Sequence, residues 1–518
     1  MADGLGFAER VAVAAISAYN NLKKTGKPQV GREWTLLAAI LKTDNSVVAN
    51  VGGKEQESLQ VICLATGSKC IGMSKRKDNG SIINDSHAEI LARRLLLKYF
   101  YDQIRCAECH FDSIFIKSTK EGRFVLKPEV KFHLFTSHTP CGDCSIIPKT
   151  EDNTIENTTR DPIQVTRKRK EAKGSECEAT VVDVKRRKEY KCNTDKISTP
   201  YHSFLQADSA NKECKVDETS RQTSKKVDLD ESSNSSQQQS LHEYENSDAH
   251  STCQEENFLD GQKEYLRSCN DIHRTGAKCV PKGMQDPLLN GTDYHVIGAL
   301  RTKPGRGEKT LSMSCSDKIM KWCTLGIQGG LLSNLLESPI YLDSIVIGKC
   351  PFSMDTMLRG ISLRGRDLKL DRTSAFNYTC AKVYHCKNNA FPDSKCCVEE
   401  RWKQELGFGK IAASGASILY CCEPAIHEVI VNGKKQGTTK KHDISKDSWS
   451  TICKSSLWND FQSLLSLLGK TRKDASDLAL KNYHNAKLSD QDYQLTRSRF
   501  FEVFPDWMSK PLQDEMFQ

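Results

Sequence analysis

The strings His87-Ala88-Glu89 and Pro140-Cys141-Gly142-Asp143-Cys144 bear most directly on the fold of this 518-residue chain. Together they contain an imidazole, two thiols and a carboxylate, which suit a zinc site that keeps one coordination position open. In such a site the metal activates a water molecule near neutral pH, and a carboxylate that is not a ligand carries protons. From spacing alone, the candidate zinc ligands are His87, Cys141 and Cys144, and Glu89 is the candidate proton carrier.

Both motifs follow a predicted strand. Apolar residues at 61–65 and at 132–136 predict two buried strands. After the first motif, an amphipathic pattern predicts a helix with Asp85 or Ser86 as its N-cap, so that the histidine and the glutamate lie in its first turn. The turn at the second motif is expected to open another helix. Two strand-to-helix junctions would then meet at one metal ion, as in the zinc-dependent nucleobase deaminases.

Candidate strands alternate with helical segments along the chain, which predicts an α/β fold. We expect a cytidine-deaminase-like layered sheet with helices on both faces. The candidate strands lie at 34–41, 61–65, 132–136, 340–347, 418–422 and 429–431. Roughly the last 75 residues have a helical pattern with four leucines on one face, which predicts a helical C-terminal extension. Those leucines are Leu464, Leu465, Leu467 and Leu468.

A long polar segment interrupts this pattern. Hydrophobic residues make up 38% of the chain, which is low for a fully folded protein of this length. Residues 150–265 are rich in Ser, Thr, Gln, Lys and Glu, so they are predicted to form a disordered, low-complexity insertion. Residues 1–149 would then be the N-terminal part of a deaminase domain, and 266–518 the remainder of the same domain.

The net charge of +9 and the isoelectric point near 8.6 favour a polyanionic partner, with nucleic acid as the first candidate. The sequence has no uninterrupted apolar stretch of about 18 residues and no cleavable leader, so we expect no membrane partner. We expect an intracellular protein of the nucleus and/or cytoplasm, with reduced cysteines. Basic clusters at 167–170 and 185–188 are typical of a nuclear import signal or of additional RNA-binding charge. No sequence feature indicates an obligate protein partner.

A basic loop precedes a third cysteine motif. Arg301, Lys303 and Arg306 lie in this glycine-containing loop, and Lys278 lies on an earlier one. Their charges suit contacts with RNA phosphates, so these four residues are candidate RNA-binding residues. A charged loop that is merely solvated would have the same composition, and that alternative stays open.

The string Ser-Met-Ser-Cys-Ser-Asp-Lys at 312–318 completes the pattern. With the first two motifs and Gly-Ile-Gln-Gly at 326–329, it resembles the adenosine-to-inosine editing deaminases over nearly all of the chain outside the insertion. The resemblance implies zinc-dependent hydrolytic deamination of adenosine in RNA. It also implies that Cys315 is the third zinc ligand. Cys144 remains the alternative ligand, although the family usually has a small, non-ligating residue at its position.

Residues 274–281 are similar to the corresponding stretch of the tRNA-acting branch of this family. The catalytic pattern also begins within the first few dozen residues, without RNA-binding modules ahead of it. The resemblance therefore implies tRNA as the partner and nucleotide 37, next to the anticodon of alanine tRNA, as the target. Duplex-RNA editors use a glutamate to expel the base where this chain has Ala277. A deaminase of other structured or double-stranded RNA and a non-catalytic RNA-binding relative are the alternatives, and the retention of Glu89 favours an enzyme.

The resemblance also implies a buried, structural 1D-myo-inositol hexakisphosphate. The positions that match the family's inositol phosphate ligands are Asn84, Arg93, Arg94, Lys318, Lys321, Trp322, Gln328, Lys454, Tyr483, Lys487, Trp507 and Lys510. Without the resemblance, these cations would be interpreted as solvated helix faces. If they converge in the core instead, they need a polyanion to neutralise them. The chain departs from the family at Asp477, where editing enzymes tend to have a lysine.

Overall fold

A mixed sheet of eight strands forms the centre of the protein in the computed structural model. The model describes residues 6–51, 54–149, 269–305, 307–370, 374–405, 410–439, 445–469 and 482–518. The predicted insertion at 150–265 lies outside the described residues. Among the helices of the described ranges, none is both long enough and apolar enough to cross a membrane.

The strands and helices are numbered here in chain order. The strands are β1 Glu33–Trp34, β2 Leu37–Val51, β3 Lys54–Thr66, β4 Ser68–Cys70, β5 Asp85–His87, β6 Phe115–Lys117, β7 Phe124–Leu126, β8 Val130–Thr136, β9 Lys278–Cys279, β10 Arg301–Thr302, β11 Ser344–Ile347, β12 Lys382–His385, β13 Ala412–Ala413, β14 Ala416–Cys421, β15 Ile426–Val431 and β16 Lys434–Lys435. The helices are α1 Phe7–Asn20, α2 Ala88–Glu108, α3 Cys315–Leu325, α4 Gly329–Leu332, α5 Met354–Ile361, α6 Lys395–Glu405, α7 Lys454–Leu467, α8 Tyr483–Leu488 and α9 Gln491–Val503.

The strand order of the main sheet is β12-β11-β8-β2-β3-β14-β15-β16. Strands β8, β11 and β12 are parallel to their neighbours in this group, whereas the strands from β2 to β16 pair antiparallel. The carboxyl ends of three parallel strands therefore meet at one edge of the sheet. Ligands of open α/β sheets commonly bind at such an edge, and the second cysteine motif follows β8 there.

Strand β2 explains why helices cover both faces of the sheet. Successive side chains of a strand point to opposite faces. Leu37, Ala39 and Leu41 pack in one buried cluster with α1, whereas Ala38 and Ile40 pack in another with α2. All five are almost fully buried, and burial of each leucine or isoleucine contributes about 1.5–3 kcal/mol. The α/β prediction, with helices on both faces, is confirmed.

Several local predictions need correction. Only Ser344–Ile347 of the predicted strand at 340–347 is extended. The second motif does not open an α-helix, because its residues form a single 3-10 turn at Asp143–Ser145. The first motif begins its helix at Ala88, and His87 occupies the N-cap without a side-chain cap bond. Asp85–His87 is instead a short strand that pairs with Ser68–Cys70, so neither Asp85 nor Ser86 is the cap.

The C-terminal part is helical, as predicted. Helix α7 packs into the same buried cluster as α2 through Trp458, Phe461 and Leu464. Leu465 is also buried, but the predicted single leucine face is wrong in one detail, since 44% of Leu467 is exposed.

Candidate active site

Three candidate ligands from distant parts of the chain converge beside the sheet. His87 ends β5, Cys141 lies beyond the carboxyl end of β8, and Cys315 is the first residue of α3. The backbone N–H of Cys315 donates to Sγ of Cys141 at 3.4 Å. The Cys141 thiol also hydrogen-bonds with the side chains of Cys315 and His87. The Cys141 sulfur therefore lies within hydrogen-bonding reach of both the imidazole of His87 and the thiol of Cys315.

Of the two thiols, Cys141 loses its proton much more readily than Cys315. The hydrogen bond with Cys315 holds the pKa of Cys141 well below its usual value despite burial, and the charge of Lys303 lowers it further. Burial and the neighbouring Cys141 raise the pKa of Cys315 well above its usual value. A metal ion that binds thiols requires thiolates. The pair is thus prepared as one thiolate and one thiol, and metal binding would release the second proton.

A serine side chain holds the two cysteine segments together. The Oγ of Ser316 donates to the carbonyl oxygen of Cys141 at 2.9 Å and accepts from the N–H of Cys144 at 3.1 Å. The backbone N–H of Ser316 also donates to the Cys141 carbonyl at 3.1 Å. Ser314 caps α3 by accepting from the N–H of Asp317 at 3.2 Å. Helix α3 and the turn after Cys141 are therefore fixed relative to each other.

Gly142 is the tightest point of this arrangement. Its φ is +107° with ψ −140°, a backbone region that is essentially restricted to glycine. A Cβ at this position would lie 2.4 Å from Oγ of Ser314, immediately before Cys315. We expect Gly142→Ala to displace Ser314 and with it Cys315, and so to lower both the melting temperature and the zinc content of the purified protein.

Gly437→Ala is the matched control. Gly437 has a positive φ of 86°, but a Cβ there would meet no atom within 4 Å among the described neighbours. The control variant should lose only the backbone term, about 1–2 kcal/mol, and keep its zinc. Equal melting temperatures and equal zinc contents for the two variants would contradict the role assigned to Gly142.

Cys144 lies in a different environment from Cys141. It is fully buried, and its Sγ lies 3.9 Å from the carbonyl oxygen of Met357 in α5. Burial raises the pKa of Cys144 to about 12, which favours a neutral thiol. The preceding Asp143 forms a fully buried ion pair with Arg359 of α5, with 2.9 Å between Oδ2 and Nε. The motif thus directs Cys141 to the histidine and packs Cys144 against α5.

Glu89 lies in the first turn of α2, two residues beyond the candidate ligand His87. Only 3% of it is exposed, and its Oε2 has no hydrogen-bond partner among the described residues. Burial raises the pKa of Glu89, and the negative charge of Cys141 raises it further, while Lys303 opposes the shift. An unpaired buried acceptor is costly. Glu89 is therefore suited to bind and move a proton in a group that enters the site.

Asp85 and Cys70 hold the imidazole of His87. Its Nδ1 lies 2.9 Å from Oδ1 of Asp85 and 3.6 Å from Sγ of Cys70, and that thiol donates to the same carboxylate oxygen at 3.3 Å. In the described part of the chain, these three buried side chains are the one group of metal-ligand types whose ligand atoms all lie within 4.8 Å of one another. Because Asp85 already pairs with the ammonium groups of Lys303 and Lys318, we interpret the group as one that orients the imidazole.

The prediction that Arg301 and Lys303 contact RNA needs correction. Both side chains are completely buried. The guanidinium of Arg301 donates to both carboxylate oxygens of Asp286, at 2.7 and 2.6 Å. The ammonium of Lys303 lies 2.8 Å from Oδ2 of Asp85. These two cations support the fold and the site because their partners neutralise them inside the protein.

The other two candidate RNA contacts have different outcomes. Lys278 in β9 is exposed, so its position is compatible with the prediction. Arg306 lies outside the described residues, and its predicted contact stays a prediction.

A cavity of about 650 Å³ lies between α2, α3 and the C-terminal helices. Eleven of the twelve positions predicted for the inositol phosphate line it, namely Arg93, Arg94, Lys318, Lys321, Trp322, Gln328, Lys454, Tyr483, Lys487, Trp507 and Lys510. Asn84 is not among the lining residues, and its Oδ1 is buried without a hydrogen-bond partner within the described ranges. The sequence-based grouping of residues from four distant segments is therefore reproduced by the fold.

The charges in this cavity are strongly unbalanced. Its lining includes eight Lys or Arg side chains and one carboxylate, Glu515. Burial, followed by repulsion from neighbouring cations, lowers the pKa of Lys321 well below its usual value. Burial also lowers the pKa of Lys454 to about 8, and repulsion by Lys454 is the first cause of the lowered pKa of Lys510. The cavity is therefore suited to a compact polyanion.

Sequence reasoning missed several residues of these sites. Glu515 bridges Lys454 and Lys487 at 2.9 and 2.6 Å, and no local pattern indicates that role. Tyr493 and Arg497 also line the cavity. Their spacing of four on α9 places them on one helix face, which was a usable signal. Cys70, as one cysteine among many, carried none.

The cavity and the candidate metal centre are connected. Lys318 lines the cavity, and its ammonium pairs with Asp85, whose other oxygen contacts the imidazole of His87. The ammonium of Lys303 contacts the same Oδ2 atom of Asp85 at 2.8 Å. One buried carboxylate thus links the cationic cavity to the orientation of a candidate ligand.

Comparison with known proteins agrees with this geometry. Residues 63–511 match the family model described as the adenosine-deaminase (editase) domain. The chain therefore belongs to this family and is an adenosine-deaminating enzyme. The sequence-based predictions of the family and of adenosine deamination are confirmed.

The names of individual relatives are more specific than the description of the family model. The chain is 35% identical over 531 residues to the tRNA-specific adenosine deaminase 1 of Mus musculus and 34% identical over 540 residues to that of Homo sapiens, with 99% of each chain covered. A double-stranded RNA-specific editase of Drosophila melanogaster is 26% identical over 318 residues, which are 60% of this chain and 29% of that protein. Similarity to the tRNA enzymes thus extends over the full length of both proteins.

Proposed function

We propose that this enzyme hydrolyses adenosine to inosine in tRNA, at nucleotide 37 beside the anticodon of alanine tRNA. His87, Cys141 and Cys315 would hold a zinc ion, and Glu89 would carry the protons. The full-length relatives named tRNA-specific adenosine deaminase 1 support tRNA as the substrate. Placement of the enzyme in the nucleus and/or cytoplasm stays a prediction.

The buried carboxylate of Glu89 beside the three candidate ligands is the observation on which the proposal rests. One imidazole and two thiols suit zinc and leave a coordination position open. Glu89 contributes an oxygen that has no partner among the described residues, so it is available to a water molecule or a base that enters. A zinc ion held by these donors would supply Lewis-acid activation of the attacking water.

Glu89 would move protons in both halves of the reaction. It takes one proton from the attacking water and delivers it to adenine N1, which makes C6 electrophilic enough for the C–O bond to form. It then takes the proton of the new C6 hydroxyl and transfers it to the exocyclic amine, so that the C6 carbonyl forms, the C–N bond breaks and ammonia leaves. The balanced products are inosine and ammonia. Its raised pKa suits a group that alternately gains and loses a proton near neutral pH.

The depth of the site favours unpaired RNA. His87, Glu89 and Cys315 are each more than nine-tenths buried, so a base must leave any stack to reach them. An anticodon loop presents unpaired bases at low cost, whereas a duplex must first be opened. A tRNA loop is therefore the substrate that this depth supports best.

We also propose that the cationic cavity holds inositol hexakisphosphate as a structural cofactor. Eight cations and one carboxylate line it, and although Lys318 also pairs with Asp85, Nε of Arg93 is buried without a partner in the described ranges. Unpaired buried charge costs several kcal/mol per ion. A ligand that carries several phosphates would neutralise the cavity and stabilise the folded state.

Incubation of the purified enzyme with unmodified alanine tRNA, followed by nucleoside analysis and sequencing, tests the reaction and its position. We expect inosine at nucleotide 37 and none in an RNA duplex of equal length. Inosine that forms in the duplex and not in the tRNA would overturn the substrate assignment. The absence of inosine from both RNAs would also contradict tRNA as the substrate.

A further inference from the structure

The loop at 283–290, called the apolar loop here, exposes three large apolar side chains within six residues. The exposed fractions are 68% for Met284 and 59% each for Leu288 and Leu289. Single exposed apolar residues are common, but a contiguous group of them marks a site that another molecule covers.

The base of the apolar loop is firmly held, although its apolar side chains face outward. Asp286 accepts two hydrogen bonds from the buried Arg301, one from the backbone N–H of Val296 at 3.0 Å, and lies 3.0 Å from Nδ1 of His295. Gln285 donates to the carbonyl oxygen of Val280 at 2.8 Å. The exposure of the apolar side chains is therefore built into an ordered loop.

Leu288 adds a conformational signal. Its φ is +58°, a left-handed conformation that bulky residues rarely adopt. The backbone N–H of Leu288 donates to the carbonyl oxygen of Tyr294 at 3.2 Å, which holds this conformation. Strained residues of this kind are concentrated at binding and catalytic sites.

The charge around the apolar loop is positive. Arg274, Lys278 and Lys282 are exposed on the same segment, against one exposed carboxylate, Asp293. The guanidinium of Arg274 stacks 3.9 Å from the ring centre of Tyr294. Cations that flank apolar side chains match a single-stranded nucleic acid, which offers phosphates and unstacked bases together.

The segment at 275–298, which contains the apolar loop, is attached at both ends to the second cysteine motif of the candidate active site. Thr275 Oγ1 accepts from the backbone N–H of Gly142, next to Cys141, at 3.1 Å. At the other end, the N–H of Gly298 donates to Oδ1 of Asp143 at 2.7 Å. Both ends of this segment are therefore fixed to the second cysteine motif.

We propose that the apolar loop is a substrate-binding surface that packs Met284, Leu288 and Leu289 against unpaired bases of the RNA near the target nucleotide. Arg274, Lys278 and Lys282 contact the phosphates beside those bases. Apolar side chains of this size pack against unstacked bases in other complexes. The proposal rests on the proposed function, because it requires an RNA substrate.

The test compares deamination kinetics on alanine tRNA for the wild-type enzyme and the variant Met284→Ser/Leu288→Asn/Leu289→Ser. Asparagine tolerates the left-handed conformation at 288, so the variant should fold and keep its zinc. We expect KM to rise about 10-fold or more, which corresponds to a loss of about 1.4 kcal/mol of binding free energy. We also expect kcat to stay within about twofold, because the loop does not contact the reacting atoms.

Val30→Ser/Phe111→Ser is the matched control, since these residues are more exposed than those of the apolar loop, at 82% and 71%, but lie elsewhere. Its KM should not change. An unchanged KM in the loop variant, with an active wild-type enzyme, would overturn the proposal and leave the proposed function intact. If the wild-type enzyme made no inosine in tRNA, the proposed function would fail first.

Two other occupants would also overturn the proposal. If a second copy covers the apolar loop, light scattering should show that the wild-type enzyme is a dimer and the loop variant a monomer. If residues 150–268 cover it, hydrogen exchange in those residues should rise in the loop variant without RNA.

The lysines beside the apolar loop give a separate prediction. Lys278→Ala/Lys282→Ala should reduce the slope of log KM against log salt by about 1–2, and an unchanged slope would contradict phosphate contacts by these lysines.

Discussion

Glu89→Gln should lower the single-turnover rate of deamination roughly 10³-fold, within the range that positioned acid–base groups contribute. Glutamine has nearly the same shape, but it cannot take a proton from water or deliver one to adenine. Because Oε2 of Glu89 has no partner among the described residues, the substitution breaks no internal hydrogen bond of that atom. Zinc content and melting temperature should therefore stay close to the wild-type values.

Glu9→Gln is the matched control for this variant. Glu9 is also a buried glutamate in the first turn of a helix that packs on the sheet, but on the opposite face. It anchors a loop by accepting from the backbone N–H groups of Lys387 and Asn388. Its replacement should change activity per folded molecule by less than about twofold. If Glu89→Gln kept a tenth of the wild-type rate, proton transfer would have to be assigned to another group.

The second large effect is a change in melting temperature when lysines of the cationic cavity are replaced. The direction of this change shows whether an anion is bound there. Lys321 is half-buried and Lys510 is exposed in the protein alone, and both lie among other cations that lower their pKa values. If a polyanion occupies the cavity, Lys321→Met/Lys510→Met removes two of its partners and should lower the melting temperature by about 5 °C or more, since each lost hydrogen bond to a charged group costs about 1.5–3 kcal/mol. If the cavity contained no anion, the same variant would relieve repulsion and melt at a higher temperature.

Phosphate analysis completes this test. Wild-type protein, denatured after purification, should release about six phosphates per chain if inositol hexakisphosphate is bound, and the double variant should release fewer. Lys23→Met/Lys24→Met is the control, because both of these lysines are exposed on the surface. It should match the wild type in both measurements. A stabilised double variant with no phosphate in either protein would refute the structural cofactor.

The sequence predicted those strands and helices that depend on the pattern of neighbouring residues. The alternation of Leu37 to Leu41 and the amphipathic pattern of α2 are properties of neighbouring residues, so strands, helix and layers could be inferred. Glu89 and His87 could be identified because both lie in one short motif. Cys315 needed the family resemblance, since nothing local connects a cysteine so far along the chain to Cys141.

Long-range pairing explains the main errors. Arg301 and Lys303 have the composition of a solvated basic loop, but Asp286 and Asp85 neutralise them in the interior, and Asp85 is 218 residues from Lys303. No local pattern reveals such a partner. The choice between Cys144 and Cys315 as the third candidate ligand also depends on side-chain direction. The 3-10 turn at Asp143–Ser145 directs Cys144 toward α5, and the sequence predicted an α-helix there instead.

The zinc content of single cysteine variants tests the central claim most directly. Metal analysis of the purified wild-type enzyme, Cys141→Ala, Cys315→Ala and Cys144→Ala should give one zinc per chain for the wild type and for Cys144→Ala. The other two variants should lose most of their zinc and all of their activity. Full zinc occupancy in Cys315→Ala, together with loss of zinc in Cys144→Ala, would contradict the account.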